Sequence, residues 1–267
     1  MKKETEVPVM ILCGGVGSRL HEESEFRPKP MLEIGNRPIL WHIMKIYSFY
    51  GFRNFILCLG YKGFMIKNYF LNYHANIADV TIQLGRPENI RYHSSHGEED
   101  WHVTLVETGE SAQTGARVAR AAKYIQTGTF CLTYGDGLAR IDIRKLLEFH
   151  RKHGKIGTIT GVHPPGRFGE IQVDRKNRAL HFNEKPQVTQ GLINGGFLVL
   201  ERKFLDRYLE ESDALVLERE PLQKLARDRE LLVYPHEGFW QPMDTYREWK
   251  LLNELWAKEN APWKVWR

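Results

Sequence analysis

Short apolar runs alternate with helical patterns from Val7 to Val162, and this alternation limits the fold more than any other feature of the sequence. Strands that alternate with helices build a mainly parallel sheet with helices on both faces. The sequence therefore predicts a three-layer α/β/α fold. The runs that have the length and composition of strands are Val7–Cys13, Asn54–Leu59, Asp79–Leu84, His102–Glu107, Thr129–Thr133 and Ile156–Val162.

Local signals define two helices between these strands. Pro38–Tyr50 has a proline in its first turn and a glycine after its end. Ile143–His153 follows Asp142, a good N-cap residue, and is ended by Gly154. The polar stretch Gly85–Trp101 is predicted to be a long exposed loop.

The second half of the chain is predicted to add a small antiparallel hairpin, because Glu170–Asp174 and Ala179–Asn183 flank a polar turn. No linker divides the chain, so residues 1–267 are predicted to form a single domain, with one half at about 7–140 and the other at 141–267. The remaining predicted elements are the strands Ile193–Leu200 and Leu231–Tyr234 and the helices Phe204–Glu210, Glu220–Asp228 and Thr245 to about Asn260.

The composition of the 267-residue chain restricts its partners. Its formal net charge of +5 suits an anionic ligand, but the basic residues are scattered, so nucleic acid is not expected as a partner. No apolar stretch approaches the roughly 20 residues that cross a bilayer, and no signal-peptide core follows the amino terminus. The three cysteines lie in apolar runs and are predicted to be buried, reduced thiols. These features favour a cytoplasmic protein with no membrane partner.

A glycine-rich turn closes the first apolar run and is predicted to bind phosphates. Glycines let the main chain turn sharply and bring N–H groups close to an anion. The arginine of the turn offers a forked cation, and Lys29, between Pro28 and Pro30, offers a point charge on a stiff loop. The residues of this predicted cradle are Leu12, Gly14, Gly15, Gly17, Ser18 and Arg19.

Two other phosphate-binding motifs and a simple turn compete with this interpretation. A P-loop needs Gly-Lys-Ser/Thr after its first glycine, and the sequence lacks it. A dinucleotide fold needs Gly-x-Gly-x-x-Gly, but Leu20 replaces the third glycine and prolines interrupt the following unit. Because Glu33 lies near the distance expected for a ribose-binding acid, an NAD-dependent oxidoreductase stays open. A glycine turn without a ligand also stays open.

Two aspartates are candidate ligands of a divalent cation. Asp136 follows the strand Thr129–Thr133, at the carboxyl end of a parallel strand, where open α/β sheets bind their ligands. Asp244 follows a segment rich in aromatic residues and proline, which could hold a carboxylate rigidly. Two carboxylates together with substrate phosphates are a usual environment of Mg²⁺. The alternatives are a turn aspartate at Asp136 and helix capping at Asp244.

Three further segments carry groups that suit a nucleoside and a sugar phosphate. The segment Ser111–Arg117 has polar side chains for the edge of a base, although a helix N-terminus capped by Thr114 explains much of it. The pair Glu184-Lys185 could hold hydroxyls and a phosphate, and an exposed ion pair is the alternative. Asn194-Gly195 offers an amide and close main-chain approach, or only an edge strand.

The motifs GGVGSRL, RPKP, YGDG, NEKP, INGG and QPMDT occur in this order, and together they resemble those of the sugar-1-phosphate nucleotidyltransferases. The similarity covers nearly the whole chain, from about Val9 to Lys264. Stretches such as RPKPMLEIGNRPILWHIMKIYS and GFWQPMDT are most similar to members that use CTP and glucose 1-phosphate. Ser18, where threonine is usual, and Arg27, where lysine is common, depart from the pattern but keep a hydroxyl and a charge.

The resemblance implies a three-layer α/β/α Rossmann-like nucleotidyltransferase fold and the transfer of a cytidylyl group from CTP to glucose 1-phosphate. It also implies Mg²⁺ as cofactor, a homo-oligomer, and a product that feeds deoxysugar synthesis for surface polysaccharides such as the O-antigen of lipopolysaccharide. The implied catalytic set is Arg19, Lys29, Asp136 and Asp244, of which Asp136 and Asp244 share the metal. The implied nucleotide-binding set is Leu12, Gly14, Gly15, Gly17, Ser18, Arg19, Lys29, Ser111, Gln113, Thr114, Gly115, Arg117 and Gly135. The implied sugar-phosphate set is Glu184, Lys185, Asn194 and Gly195.

Two alternatives to this activity stay open from the sequence. UTP or dTTP could replace CTP, because the choice of a pyrimidine depends on one or two hydrogen bonds that a sequence does not place. A catalytically silent relative that binds a nucleotide sugar and regulates a partner is the second alternative, although both acids and both lysines are retained.

Overall fold

The computed structural model describes residues 6–15, 26–86, 88–93, 100–164, 170–173, 178–183 and 191–266. Its centre is a seven-stranded sheet whose strands are, in chain order, β1 (Val9–Leu12), β2 (Asn54–Leu59), β3 (His102–Glu107), β4 (Thr129–Tyr134), β5 (Gly157–Val162), β6 (Ile193–Glu201) and β7 (Leu231–His236). Across the sheet the strands lie in the order β7-β5-β6-β4-β1-β2-β3. Both predicted halves of the chain contribute strands to this one sheet.

The sheet is mixed and mainly parallel, as predicted. Strand β1 is parallel to its neighbours β2 and β4, and β2 is parallel to β3. Strand β6 is antiparallel to β4 and β5, whereas β5 and β7 are parallel. Because β1 and β4 are adjacent and parallel, their carboxyl ends meet at one edge of the sheet, which is where α/β folds bind ligands.

Helices cover both faces of the sheet and give the three layers that the sequence predicts. Val9 and Ile11 of β1 belong to the apolar cluster of one face, while Met10 and Leu12 belong to the cluster of the other. This split follows from the alternation of side chains along a strand. The α-helices of the described residues are α1 (Ile39–Phe49), α2 (Gly63–Leu71), α3 (Tyr73–Ile77), α4 (Thr114–Ala121), α5 (Ile143–His153), α6 (Lys203–Tyr208), α7 (Glu220–Arg227) and α8 (Tyr246–Ala257).

Capping residues set the boundaries of the helices that the sequence predicted best. The Asp142 carboxylate accepts hydrogen bonds from two main-chain N–H groups in the first turn of α5, at 3.0 and 3.1 Å. Gly154 ends α5 with a φ of 64°, a left-handed conformation that favours glycine. At α8, Thr245 and Glu248 form a capping box.

Two-stranded ribbons lie outside the central sheet and correct two predictions. Val80–Ile82 pairs with Ile90–Tyr92, so the strand predicted at Asp79–Leu84 does not join the main sheet, and Gly85–Trp101 is not only a loop. The pattern of a run indicates a strand but not its partner. The predicted hairpin is confirmed, because Glu170–Val173 pairs antiparallel with Ala179–Asn183.

The aromatic carboxyl-terminal segment packs on its own chain. Trp263 is completely buried, and its ring stacks with those of Phe239 and Trp256. The three cysteines are buried and free, as predicted, and burial raises the pKa of Cys58 and of Cys131 to about 12. Within the described residues, every helix is too short or too polar to traverse a lipid bilayer.

Candidate active site

A pocket of about 330 Å³ opens where the carboxyl ends of β1 and β4 meet. It is lined by residues of the glycine turn, by Lys29, by the start of α4 and by the segment after β4. The predicted site residues that the structure places in its lining are Leu12, Gly14, Gly15, Lys29, Gln113, Thr114, Arg117, Gly135, Asp136 and Asp244.

Lys29 and the two candidate metal ligands form one charged cluster in this pocket. The Lys29 ammonium donates to Asp136 Oδ2 across 2.6 Å and to Asp244 Oδ1 across 2.5 Å. Both carboxylates therefore converge on a point that a cation occupies. The Lys29 side chain is only 11% exposed. Burial acts to lower the pKa of Lys29, but Asp136 and Asp244 outweigh it and raise this pKa above its ordinary value, so the ammonium stays charged.

A short ribbon brings the two aspartates together although they are far apart in the chain. Gly137–Ala139 pairs antiparallel with Trp240–Pro242, and Gly137 is opposite Pro242. Next to this pair, the Met243 N–H donates to the Asp136 carbonyl across 2.8 Å. Capping does not explain Asp244, because the side-chain cap of α8 is Thr245.

The proline-flanked segment fixes Lys29 from the other side of the pocket. Lys29–Met31 forms one turn of 3₁₀-helix, preceded by Pro28 with a φ of −65° and continued by the buried Pro30. Proline restricts the main chain at both positions and lowers the entropy lost when the ammonium is held in place.

Arg117 of α4 holds the ends of three parallel strands together beside the pocket. Its side chain is buried, and burial lowers its pKa from the ordinary value. The acceptors of its guanidinium are the carbonyls of Gly14, Leu59, Gly109 and Glu110 and the hydroxyl of Thr108, at 2.7 to 3.1 Å. Arg117 thus shapes the glycine turn through the main chain, while its predicted contact with a nucleotide stays a prediction.

Close packing explains two of the glycines at this edge. A Cβ at Gly14 would lie 2.1 Å from the Arg117 guanidinium. A Cβ at Gly135 would lie 2.8 Å from the Leu12 carbonyl oxygen, to which the Gly135 N–H itself donates. Gly15, by contrast, faces open space. The main chain at Gly15 is therefore accessible to a ligand in the pocket.

Some predicted residues lie outside the lining of the pocket. Ser111 is exposed, and Gly115 packs against Leu215, whose carbonyl accepts its N–H. The Asn194 amide donates a hydrogen bond to the hydroxyl of Tyr134, which lines the pocket. The Gly195 carbonyl accepts a hydrogen bond from the Trp240 indole. Gly17, Ser18, Arg19, Glu184 and Lys185 lie outside the described residues.

Two side chains of this site, Tyr134 and Glu218, were not predicted from the sequence. Tyr134 lines the pocket, and its hydroxyl donates a hydrogen bond to Glu218 in the loop before α7. Thr114 does not cap α4, because Gln113 is the N-cap residue and the Thr114 hydroxyl instead donates to Glu218. No local motif surrounds Glu218, so only its contacts in the folded chain identify it.

The donors in the pocket define what it can hold. Within the part of the chain that the structure describes, no group of three or more histidine, cysteine, aspartate or glutamate side chains could hold a metal. Asp136 and Asp244 supply two carboxylates. Hard divalent cations such as Mg²⁺ are often bound by one or two carboxylates plus the phosphates of a substrate. The acids, Lys29 and the glycine turn together suit a polyphosphate and its cation.

This fold and pocket belong to a nucleotide-transferring enzyme class: the chain is a member of the nucleotidyl transferase family, whose sequence model matches residues 8–245. It is 48% identical to glucose-1-phosphate cytidylyltransferase of Salmonella typhimurium, over 96% of this chain and 98% of that protein. It is 43% identical to a probable glucose-1-phosphate cytidylyltransferase of Bacillus subtilis, over 96% of this chain and 99% of that one. The predicted family is confirmed, and the alternative of an NAD-dependent oxidoreductase is therefore rejected.

Solved structures share the fold at lower identity. HddC from Yersinia pseudotuberculosis, solved with GMP-PN, superposes with a TM-score of 0.67 at 23% identity, over 94% of this chain and 99% of that chain. A putative glucose-1-phosphate thymidylyltransferase from Bacillus anthracis gives the same TM-score at 14% identity, over 93% and 94%. These similarities establish the α/β fold.

Proposed function

We propose that this chain transfers the cytidylyl group of CTP to glucose 1-phosphate, giving CDP-glucose and pyrophosphate. The relatives named for this activity align with 96% of the chain at 43% and 48% identity. The observation that carries the proposal is the convergence of Lys29, Asp136 and Asp244 in one pocket at the ends of β1 and β4.

The reaction needs positioned charges rather than a proton acceptor. A phosphate monoester has a second pKa of about 6, so the attacking oxygen of glucose 1-phosphate is mostly ionised at neutral pH. The barrier lies in bringing two polyanions in line at the α-phosphorus and in stabilising the departing pyrophosphate. Lys29 is a buried, charged donor in the pocket and can neutralise charge at the α-phosphate.

The glycine turn is proposed to hold the triphosphate. Gly15 leaves its main chain open, and Arg117 fixes the turn from behind through the Gly14 carbonyl. Arg19, in the same motif, is proposed to bind the phosphates as a forked cation. Leu12, Gly14, Gly17, Ser18 and Gly135 complete the proposed phosphate and nucleoside surface.

Mg²⁺ is proposed as the cofactor, held by Asp136 and Asp244. The fit is chemical: both acids present an oxygen to the same cationic group, and carboxylate oxygen is the preferred ligand of Mg²⁺. When bound, the ion would neutralise charge on the phosphates.

The two substrates are proposed to lie on opposite sides of this cluster. Ser111–Arg117 at the start of α4 is proposed to contact the cytosine and its ribose. Glu184, Lys185, Asn194 and Gly195 are proposed to hold glucose 1-phosphate. Gln113 is exposed and Thr114 lines the pocket, so both can be reached by a ligand.

The setting of the activity is also a proposal. The buried, free thiols suit a reducing cytoplasm. A homo-oligomer is also proposed, in which a second copy would cover exposed apolar side chains such as Leu71, Ile82 and Leu84. The product is proposed to feed deoxysugar synthesis for O-antigen and related surface polysaccharides, without a nucleic-acid or membrane partner.

The test is direct identification of the product. The protein is incubated with CTP, glucose 1-phosphate and Mg²⁺, and phosphorus NMR follows the nucleotide and pyrophosphate signals. We expect equal amounts of CDP-glucose and pyrophosphate, and none of either when glucose 6-phosphate replaces glucose 1-phosphate. Tight binding of CDP-glucose without turnover would instead indicate a silent relative.

A further inference from the structure

Glu218 joins two parts of the pocket that are distant in the chain. It lies in the loop before α7 and is partly buried. Its Oε2 accepts a hydrogen bond from the Thr114 hydroxyl across 2.7 Å, and its Oε1 accepts one from the Tyr134 hydroxyl across 2.5 Å. Thr114 in turn accepts the Leu217 N–H at 2.9 Å, which locks the loop onto the start of α4.

Tyr134 extends this contact to the predicted sugar-phosphate side. Its hydroxyl accepts a hydrogen bond from the Asn194 amide across 3.2 Å, and the Asn194 Oδ1 accepts the Gly196 N–H across 2.8 Å. The Tyr134 hydroxyl thus donates to Glu218 and accepts from Asn194 at the same time. Gly196 has a φ of 81°, and a Cβ there would lie 2.8 Å from the Tyr134 ring.

These contacts form one chain of hydrogen bonds, Thr114–Glu218–Tyr134–Asn194. Thr114 stands at the proposed nucleoside side of the pocket, and Asn194 at the proposed sugar side. A carboxylate suits the centre of this chain because its two oxygens can accept from two hydroxyls at once. Glutamine has nearly the same size but offers one acceptor oxygen and one amide donor. It can therefore satisfy one hydroxyl but not both in the same way.

We propose that Glu218 is a positioning residue for cytidylyl transfer, which sets the spacing between the nucleoside and sugar-phosphate sides through Thr114 and Tyr134. The inference rests on the proposed function, since it assigns Thr114 and Asn194 to opposite substrates. Glu218 acts through its two hydrogen-bond partners, Thr114 and Tyr134. When the hydrogen bond from Tyr134 to Glu218 is lost, the Tyr134 hydroxyl is no longer held in place. The Asn194 amide, which donates to that hydroxyl, then loses its fixed orientation.

The test compares Glu218→Gln, Tyr134→Phe and the double variant in steady-state kinetics. Glu211→Gln is the matched control, because it alters an exposed carboxylate of the same loop. We expect each single variant to lower kcat/KM for glucose 1-phosphate about tenfold. KM for CTP should change less than twofold, because the amide oxygen of a glutamine at position 218 still accepts the Thr114 hydroxyl and Tyr134→Phe leaves that contact intact. We expect the double variant to be no worse than either single variant, since both break the same bond. The melting temperature should stay within a few degrees of wild type, and the control should match wild type.

Three results would overturn this inference without touching the proposed function. Wild-type kinetics in Glu218→Gln would show that the contact does not position substrates. Equal losses for both substrates, in step with a lower melting temperature, would assign Glu218 a role in folding only. Additive losses in the double variant would show that Tyr134 and Glu218 act separately. If the wild-type protein makes no CDP-glucose, the proposed function fails, and this inference fails with it.

Discussion

Lys29 and Asp136 are joined by an ion pair of 2.6 Å that connects the proline-flanked segment to the end of β4. Asp244 meets the same ammonium from the start of α8. One cation thus draws together three regions that are distant in the chain. In this arrangement Lys29 occupies the point on which the two proposed metal ligands converge, so a divalent cation bound there would compete with the lysine for the same carboxylate oxygens.

Asp136→Asn should abolish Mg²⁺-dependent turnover while the protein stays folded. The amide keeps the size of the side chain but removes the charge that a divalent cation needs. We expect turnover to fall at least 100-fold in a pyrophosphate-release assay, with an unchanged circular dichroism spectrum. Asp79→Asn, at an exposed aspartate, serves as the control. An active Asp136→Asn enzyme would remove Asp136 from the metal site.

Lys29→Met should lower turnover and, in the free protein, strengthen metal binding. The variant keeps most of the aliphatic stem but loses the donor, and losing such a donor costs roughly 100-fold in turnover. It also leaves Asp136 and Asp244 without their internal cation, so Mn²⁺ should bind more tightly than to wild type. Titration of Mn²⁺ followed by electron paramagnetic resonance measures this without substrate. Equal Mn²⁺ affinity in the two proteins would argue against competition at this point.

Arg117→Lys should destabilise the protein although it conserves charge. An ammonium cannot reach the five acceptors that the planar guanidinium serves at the ends of β1, β2 and β3. Buried carbonyls left without donors cost about 1–3 kcal/mol each, so we expect a loss of at least about 2 kcal/mol in urea denaturation. Arg207→Lys, at an exposed position of α6, should change stability little. Equal stability of both variants would contradict the role assigned to Arg117.

Gly135→Ala and Gly137→Ala provide a matched pair on either side of Asp136. A Cβ at position 135 meets the Leu12 carbonyl at 2.8 Å, whereas one at position 137 meets nothing within 4 Å. Overpacking against main chain costs about 1–3 kcal/mol. We therefore expect Gly135→Ala to be destabilised by this amount relative to Gly137→Ala in denaturation of the ligand-free protein. The prediction fails if the two variants unfold at the same urea concentration.

Folding stability should decrease as the pH falls from about 6.5 to 4, partly because of His42. Burial lowers the pKa of this completely buried histidine to about 4. Its Nε2 donates to the Ile34 carbonyl at 3.0 Å, and its Nδ1 faces the Trp263 indole N–H. Because the unfolded chain binds the proton more readily, stability is full above pH 6.5 and is lost toward pH 4, by about 3 kcal/mol for this one group.

The control for this pH dependence is His42→Gln, which keeps a donor but does not titrate. Urea denaturation between pH 4 and 7 should give a smaller slope of stability against pH for the variant than for wild type. His150, His153 and His236 also have lowered pKa values and contribute in the same direction, so a residual slope is expected. An identical slope in both proteins would exclude His42 as a major contributor.

Local signals in the sequence predicted the elements whose ends are set by local chemistry. Helix α5 begins and ends where Asp142 and Gly154 predict, because an N-cap side chain and a left-handed glycine act within one turn. The partner of Val80–Ile82 was not predictable in this way, since a strand pattern does not specify which strand it meets.

In the candidate site, too, residues with a local motif were predicted and residues defined by long-range contacts were not. Lys29, Asp136 and Asp244 carry recognisable motifs, and the fold brings them together as the motifs imply. The motif at Ser111–Arg117 pointed to Arg117. Its hydrogen bonds to the ends of three strands were not predictable, because they form only once the fold has made those strands adjacent. Glu218 has no motif, and only its hydrogen bonds to the hydroxyls of Thr114 and Tyr134, which are distant in the sequence, place it in the site.

Pyrophosphate release from glucose 1-phosphate in the presence of Mg²⁺, measured in parallel with CTP, UTP, dTTP, GTP and ATP, tests the proposed cytidylyl transfer most directly. We expect rapid release with CTP, much slower release with the other nucleotides, and none from Asp136→Asn. A preference for UTP or dTTP would keep the pocket and the mechanism but overturn the choice of donor. No release with any nucleotide would contradict the proposed transfer reaction.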